Sequence, residues 1–121
     1  MRNLILMLLI CASFTAYARD KNGNYAVWGP GDKSCFSYNN ARKADKYDEY
    51  KYFIMGYLTA YNTLTPDTYR ISGMDQFPDV LKWLDDYCQK TPVHGFEQAV
   101  SDFIVAHHES RLARPPVIHG R

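Results

Sequence analysis

From Ser34 onward the chain spaces its apolar residues at steps of three and four, interrupted by short polar or proline-containing links. Tyr50, Phe53, Ile54, Tyr57, Leu58 and Tyr61 trace one stripe. Phe77, Val80, Leu81, Leu84 and Cys88 trace a second, and Phe96, Ala99, Val100, Phe103, Ile104 and His107 a third. At 3.6 residues per turn, this spacing gathers the apolar side chains on one face of a helix. It predicts helices over Tyr47–Asn62, over Gln76–Lys90, and from between Pro92 and Phe96 to near Arg111 or Leu112. A shorter first helix is expected from Ser34 to about Lys43, with Cys35, Tyr38 and Arg42 on one side. No alternation strong enough for a sheet and no internal repeat accompanies these stripes, although short strands before Ser34 stay open. The fold class is therefore all-α, a small bundle of about four helices.

The residues between the stripes punctuate them. Asp32 or Ser34 offers a side-chain oxygen to the unpaired amides of the first helix, and Asp75 does so for the third. Pro78 falls in a first turn, where a missing N–H costs nothing. Pro66 and Thr91-Pro92 stop the preceding helices. Asp85 and Asp86 are expected to face solvent. Gly56 lies inside the second stripe, where glycine costs about 0.5–1 kcal/mol relative to alanine; the close approach of another helix is the expected reason. The segment "RDKNGNYAVWGPGDK" before the first helix is rich in turn residues and reads as an extended arm. Trp28 within it is expected to plug an edge of the domain more readily than to bind a ligand.

The N-terminus has a different pattern. Arg2, the apolar run from Leu4 to Ile10 continuing through Ala12 and Phe14, and Ala16-Tyr17-Ala18 have the layout of an export signal cleaved after Ala18. The run is shorter than the roughly 20 apolar residues a spanning helix needs. Ile10 before Cys11 does not suit a lipoprotein site. The chain divides into a signal peptide (1–18), an arm (19–33), a helical domain (34–112) and a flexible tail (113–121) that two prolines keep from being helical. It is expected in the periplasm or secreted.

Composition narrows the partners. The chain has 14 Lys and Arg against 13 Asp and Glu, a net charge of +1. Loss of Arg2 with the signal brings it close to zero. Without a basic cluster, neither nucleic acid nor an anionic membrane is a natural partner. Cys35 and Cys88 remain as a pair in an oxidising compartment, where a disulfide between the first and third helices is expected over free thiols or a metal pair. Closing so long a loop is worth about 4 kcal/mol on chain-entropy grounds.

Candidate chemistry is sparse. The chain has no G-x-S-x-G, no glycine-rich phosphate loop and no C-x-x-C. His107, His108 and Glu109 are the best acid–base or metal candidates, but adjacent helical residues diverge by about 100° and grip one ion poorly. His94 and His119 fall in a turn and in the tail. One packed and three solvated histidines are expected. Asp85 with Asp86, and Asp48 with Glu49, diverge in the same way. No catalytic residue, metal or cofactor is assigned.

The order "SCFSYNNAR", "FIMGYLTAYN", "LKWLDDYC", "TPVHGFEQAV" behind a signal peptide resembles small periplasmic helical proteins of the HdeA-like and Rap1a-like immunity group. The resemblance rests on Cys35, Gly56-Tyr57, Cys88, and Phe96 with Ala99-Val100, and covers roughly Ser34 to His107. It implies a cofactor-free protein that acts by contact with another protein, a toxin or an envelope client. The leading expectation is a non-catalytic immunity or inhibitor-type factor, and the alternative is an acid-activated holdase chaperone. A tyrosine-rich composition and the absence of a lysine-rich final helix depart from the chaperone. Tyr25, Trp28, Tyr47, Tyr52 and Tyr69 are the candidate partner-binding residues, because aromatic rings with a polar tip suit protein contacts.

Overall fold

A computed structural model describes residues 19–73 and 76–117. The proposed signal peptide with Cys11, the cap at Asp75 and His119 in the tail lie outside them. Four helices follow one another: α1 (Cys35–Lys43), α2 (Asp48–Leu64), α3 (Phe77–Lys90) and α4 (Phe96–His107). A 3₁₀ turn at Gly29–Asp32 precedes them, and another at His108–Ser110 follows. The described residues contain no strand, only isolated bridges between Ser34 and Gly95 and between Arg70 and Leu112. None of their helices is long and apolar enough to cross a membrane.

The helix ends follow local chemistry. Ser34 caps α1, its hydroxyl accepting from the Ser37 amide at 3.3 Å. α2 runs on through Leu64 before Thr65 turns extended ahead of Pro66. The N-cap position of α3 falls on Gln76, and Pro78 sits in the first turn. α4 stops at His107, short of the expected Arg111, because the chain tightens into the 3₁₀ turn.

The three stripes meet in one core. α4 lies against α1, α2 and α3, and its Phe96, Ala99, Val100 and Phe103 are fully buried. Phe96 stacks on Tyr38 of α1, ring centres 4.6 Å apart, and meets Tyr50 of α2 edge-on at 4.9 Å. Within α2, Tyr50, Ile54 and Leu58 are buried while Phe53, Tyr57 and Tyr61 pack around them. The expected inner face of that helix is therefore the observed one.

Cys35 and Cys88 are joined by a disulfide that ties α1 to α3, with Cα atoms 4.9 Å apart. The same seam corrects the expectation for Asp85. Its carboxylate faces α1, where it accepts from the Tyr38 hydroxyl at 2.8 Å and from the Arg42 guanidinium at 2.8 and 2.7 Å. A residue one helical turn from Cys88 shares enough of its face to be drawn into the same joint. Asp86 remains exposed.

The close approach expected at Gly56 occurs instead at a glycine of the arm. Gly56 has nothing within 4 Å of where a Cβ would stand, so no helix approaches it. The crowded glycine is Gly31 in the arm. A Cβ there would lie 2.3 Å from Phe53 Cζ and 2.8 Å from Val27 Cγ1. The arm packs down on α2 at Phe53, beside the face that α4 covers.

Candidate functional site

A local turn shapes the arm upstream of Tyr25–Trp28, and contacts with the helices pin it downstream. Upstream, the Asp20 carboxylate accepts from the Asn22 and Asn24 amides, both at 2.8 Å, and Gly23 takes the left-handed conformation of the turn (φ 82°). Those amide hydrogen bonds hold the Asp20 carboxyl below its ordinary pKa. Downstream, the Gly29–Asp32 turn seats against α2 and α4, and Gly31 admits the Phe53 ring. The backbone of Lys33 then accepts from the Phe96 amide at 2.8 Å, and Cys35 donates to the His94 carbonyl at 2.8 Å. The stretch between the local turn and those contacts stands over α2 and leaves a cleft of about 590 Å3.

Tyr25, Val27 and Trp28 form the arm side of the cleft, and Tyr52, Phe53, Gly56 and Tyr57 the α2 side. The open space above Gly56 is part of this cleft, which gives that helical glycine its physical reason. Trp28 is 83 % exposed and Tyr52 65 %. Trp28 thus corrects the expected edge plug: its ring borders the cleft and stays open to solvent. This size of concavity, apolar with a few polar groups, is the usual form of a binding site.

The polar group is Glu97, in the first turn of α4 and only 7 % exposed. Its Oε2 accepts from the Tyr25 hydroxyl at 2.9 Å and its Oε1 from the Tyr57 hydroxyl at 2.5 Å. One carboxylate thereby latches the arm and α2 to α4. The free amides at the start of the helix favour its negative charge. Among the described residues no Lys or Arg forms an ion pair with it. The effect on the tyrosines is marked. Burial, then the bond to Glu97, holds the Tyr57 hydroxyl well above the ordinary tyrosine pKa. For Tyr25 the bond to Glu97 comes first, burial second, and both raise it.

Three of the five candidate contacts, Tyr25, Trp28 and Tyr52, converge on this cleft. Tyr47 does not: it is half-buried beneath the Arg42 guanidinium, 4.3 Å from its ring centre. Tyr69 is exposed elsewhere, its amide bonded to the Leu112 carbonyl at 2.7 Å. Glu97 was missed because one acidic residue in a first turn reads as ordinary helix chemistry. The pattern gives no hint that two tyrosines distant in sequence converge on it.

The histidines are more engaged than the sequence implies. His107 packs on Phe103, ring centres 4.2 Å apart, and its Nδ1 pairs with the Phe103 carbonyl at 2.8 Å. His108 pairs through Nδ1 with the Tyr61 hydroxyl, and His94 with that of Tyr87 at 2.8 Å. The expectation of three solvated histidines is corrected for half-buried His108, whereas His94 stays exposed with its ring bonded to Tyr87. Tyr87 also donates to Asp102 at 2.5 Å; burial first, then that bond, pushes its pKa up to about 12. Among the described residues no three His, Cys, Asp or Glu side chains group to hold a metal. The cleft lining has no Ser, Cys, His or Lys; its polar side chains are Glu97, the tyrosines and the Trp28 indole.

Fold and site together define a disulfide-stapled four-helix bundle with an arm-walled aromatic cleft. No protein-family model, curated protein or solved structure matches the chain.

Proposed function

We propose that this is an exported, non-catalytic protein that binds another protein, as an immunity or inhibitor-type factor does. The carrying observation is the cleft: Trp28 and Tyr52 are held exposed beside it on a pinned arm and a packed helix. Rigid aromatic side chains already in place lose little entropy when a partner covers them, and such residues dominate binding energies. The Cys35–Cys88 bond supports an oxidising compartment. The test is capture from the envelope fraction of the producing cell on wild-type protein, Trp28→Ala and Tyr52→Ala. A discrete partner should be retained near one-to-one by wild type and lost on both variants. Equal capture on all three would sink this reading.

The acid-chaperone reading has one supporting observation. Three joints rest on carboxylates that accept tyrosine hydroxyls: Glu97, Asp85 and Asp102. Removing their negative charge weakens charge-assisted bonds that hold elements together. Client aggregation followed by light scattering at pH about 2–3, where ordinary carboxylates protonate, separates the two readings. Suppression at that pH and not at pH 7 favours the chaperone; no suppression at either removes it.

A further inference from the structure

We infer that the cleft receives a basic side chain, Lys or Arg, presented by the partner. This rests on the protein-binding reading above and specifies the chemistry of what enters. Three observations carry it, and each is incomplete without the others.

The first is charge. Glu97 is nearly buried at the cleft wall and has no Lys or Arg counterion among the described residues. Asp85, the other carboxylate that gathers a tyrosine hydroxyl on a helix joint, is neutralised by Arg42 at 2.7 Å. A carboxylate set in a low-dielectric wall acts on an approaching cation with little screening. The cleft therefore attracts positive charge and disfavours negative charge.

The second is the surrounding surface. Tyr25, Trp28, Tyr52 and Tyr57 line the same concavity, and the faces of tyrosine and tryptophan rings attract ammonium and guanidinium groups within about 6 Å. The arm supplies an instance of this contact: the Arg19 guanidinium lies over the Tyr25 ring, 4.8 Å from its centre. Lys51 Nζ lies over the Tyr52 ring in the same way, 5.3 Å from its centre. Two rings bordering the cleft thus already face cations of this chain. Trp28 and Tyr57, over which no Lys or Arg of the described residues lies, are the rings left to a cation of the partner.

The third is hydrogen-bonding capacity. Tyr25 donates its only hydroxyl proton to Glu97, so its oxygen can meet a ligand only as an acceptor. Donation to a carboxylate also polarises that oxygen and strengthens it as an acceptor. Lys and Arg head groups carry donors and no acceptors. The glycine at position 56 keeps the floor open, so the aliphatic stem of such a side chain has room beside Phe53. At the Glu97 wall a carboxylate or carbonyl would meet acceptors and a negative charge, and the donors of the cleft, the Trp28 indole N–H and the Tyr52 hydroxyl, belong to its most exposed residues.

The experiment is an NMR chemical-shift titration of the full exported chain with three capped tripeptides, Gly-Arg-Gly, Gly-Lys-Gly and Gly-citrulline-Gly. Citrulline keeps the shape of arginine and lacks its charge. The arginine and lysine peptides should move the Trp28 indole and Gly56 amide signals. The citrulline peptide should bind at least about tenfold more weakly, a difference of roughly 1.4 kcal/mol. Glu97→Gln should erase that preference. Because Glu97 also latches the arm, unchanged Cys35 and Phe103 amide signals are required of that variant. Tyr52→Ala, at an exposed position, is the second variant and should weaken the arginine peptide without touching the core. Equal binding of arginine and citrulline peptides, or no movement of the Trp28 and Gly56 signals by any peptide, overturns the inference. If a partner is still captured in a Trp28-dependent way, the inference falls alone; a charge preference without any captured partner leaves the cation site and overturns the protein-binding reading.

Discussion

The α1–α3 seam and the arm–α2–α4 face use the same polar device to opposite ends. At the seam, Asp85 accepts from Tyr38 and Arg42, the disulfide lies one helical turn away, and Tyr38 is fully buried. Every strong polar group there finds a complementary one within the protein. At the other face, Glu97 accepts from Tyr25 and Tyr57 but has no cation, and the aromatic rings around it border open space. A carboxylate with its counterion belongs to the scaffold. A carboxylate held only by neutral donors at the edge of a cleft is left available to something else.

The comparison can be broken first at the seam's staple. Cys35 and Cys88 are 53 positions apart, and replacing both with serine should lower the unfolding free energy by about 4 kcal/mol, with denaturant titration as the readout. Loss of under about 1 kcal/mol would mean that the seam holds without its covalent bond. The cleft rings should stay in place in whatever fraction remains folded, because the arm is tied to α2 and α4 and not to α3.

The two glycines provide the next contrast. Gly31→Ala drives a methyl into Phe53 and Val27, with 2.3 Å to the nearest ring carbon, and should destabilise by about 1–3 kcal/mol. Gly56→Ala meets no atom within 4 Å and should stabilise α2 by about 0.5–1 kcal/mol. Its methyl would occupy the cleft floor, so binding there should weaken while stability rises. Denaturant midpoints of the two variants should move in opposite directions; a shared direction would dissolve the distinction between packed arm and open floor.

How much of this was legible in the sequence divides along the same line. The helices and the inner faces of α2, α3 and α4 follow from spacing because burial of a stripe is a local, periodic demand. The pairing of Cys35 with Cys88 was legible because only two cysteines follow the apolar N-terminal run. Gly56 was read with the wrong reason: the cost of a helical glycine is visible in sequence, but whether the vacated space is filled by a neighbour or left open is a tertiary fact. Asp85 was misplaced because a charged residue beside a stripe reads as solvated until a cation on another helix is known to face it. Tyr25, Trp28 and Tyr52 were picked out as candidates, but their convergence depends on the path of an arm with no period, and Glu97 stayed hidden for the same reason.

The two carboxylates allow a closer test. Asp85→Asn removes the charge that Arg42 and Tyr38 both address and should cost about 2 kcal/mol. Glu97→Gln leaves an acceptor for one tyrosine and breaks no ion pair, so the loss should be about half of that. Thermal or denaturant unfolding of both variants under the same conditions checks the ranking. A larger cost at Glu97 would make the latch, not the seam, the stronger polar joint, and the division drawn between scaffold and site would have to be reversed.

Alkaline pH probes the difference most finely. Burial, and then the bond to Asp85, holds the Tyr38 hydroxyl protonated well above the ordinary tyrosine range, and Tyr57 is raised by burial and Glu97. An unfolded tyrosine loses its proton near pH 10. Below that pH both states keep the proton and the contribution to stability is complete. Above it the unfolded chain releases protons that the folded chain retains, so stability falls as pH rises, and the contribution is gone once the folded tyrosine ionises. For fully buried Tyr38 the slope should approach about 1.4 kcal/mol per pH unit above pH about 10. Tyr38→Phe should flatten that slope, whatever it costs at neutral pH, and Tyr57→Phe should flatten it less because Tyr57 borders the cleft. Denaturant midpoints at several pH values above 9, with tyrosinate absorbance as a second readout, measure both slopes. If Tyr57→Phe flattens the curve more than Tyr38→Phe, the cleft wall is the drier of the two environments, and water would no longer compete there with an arriving cation.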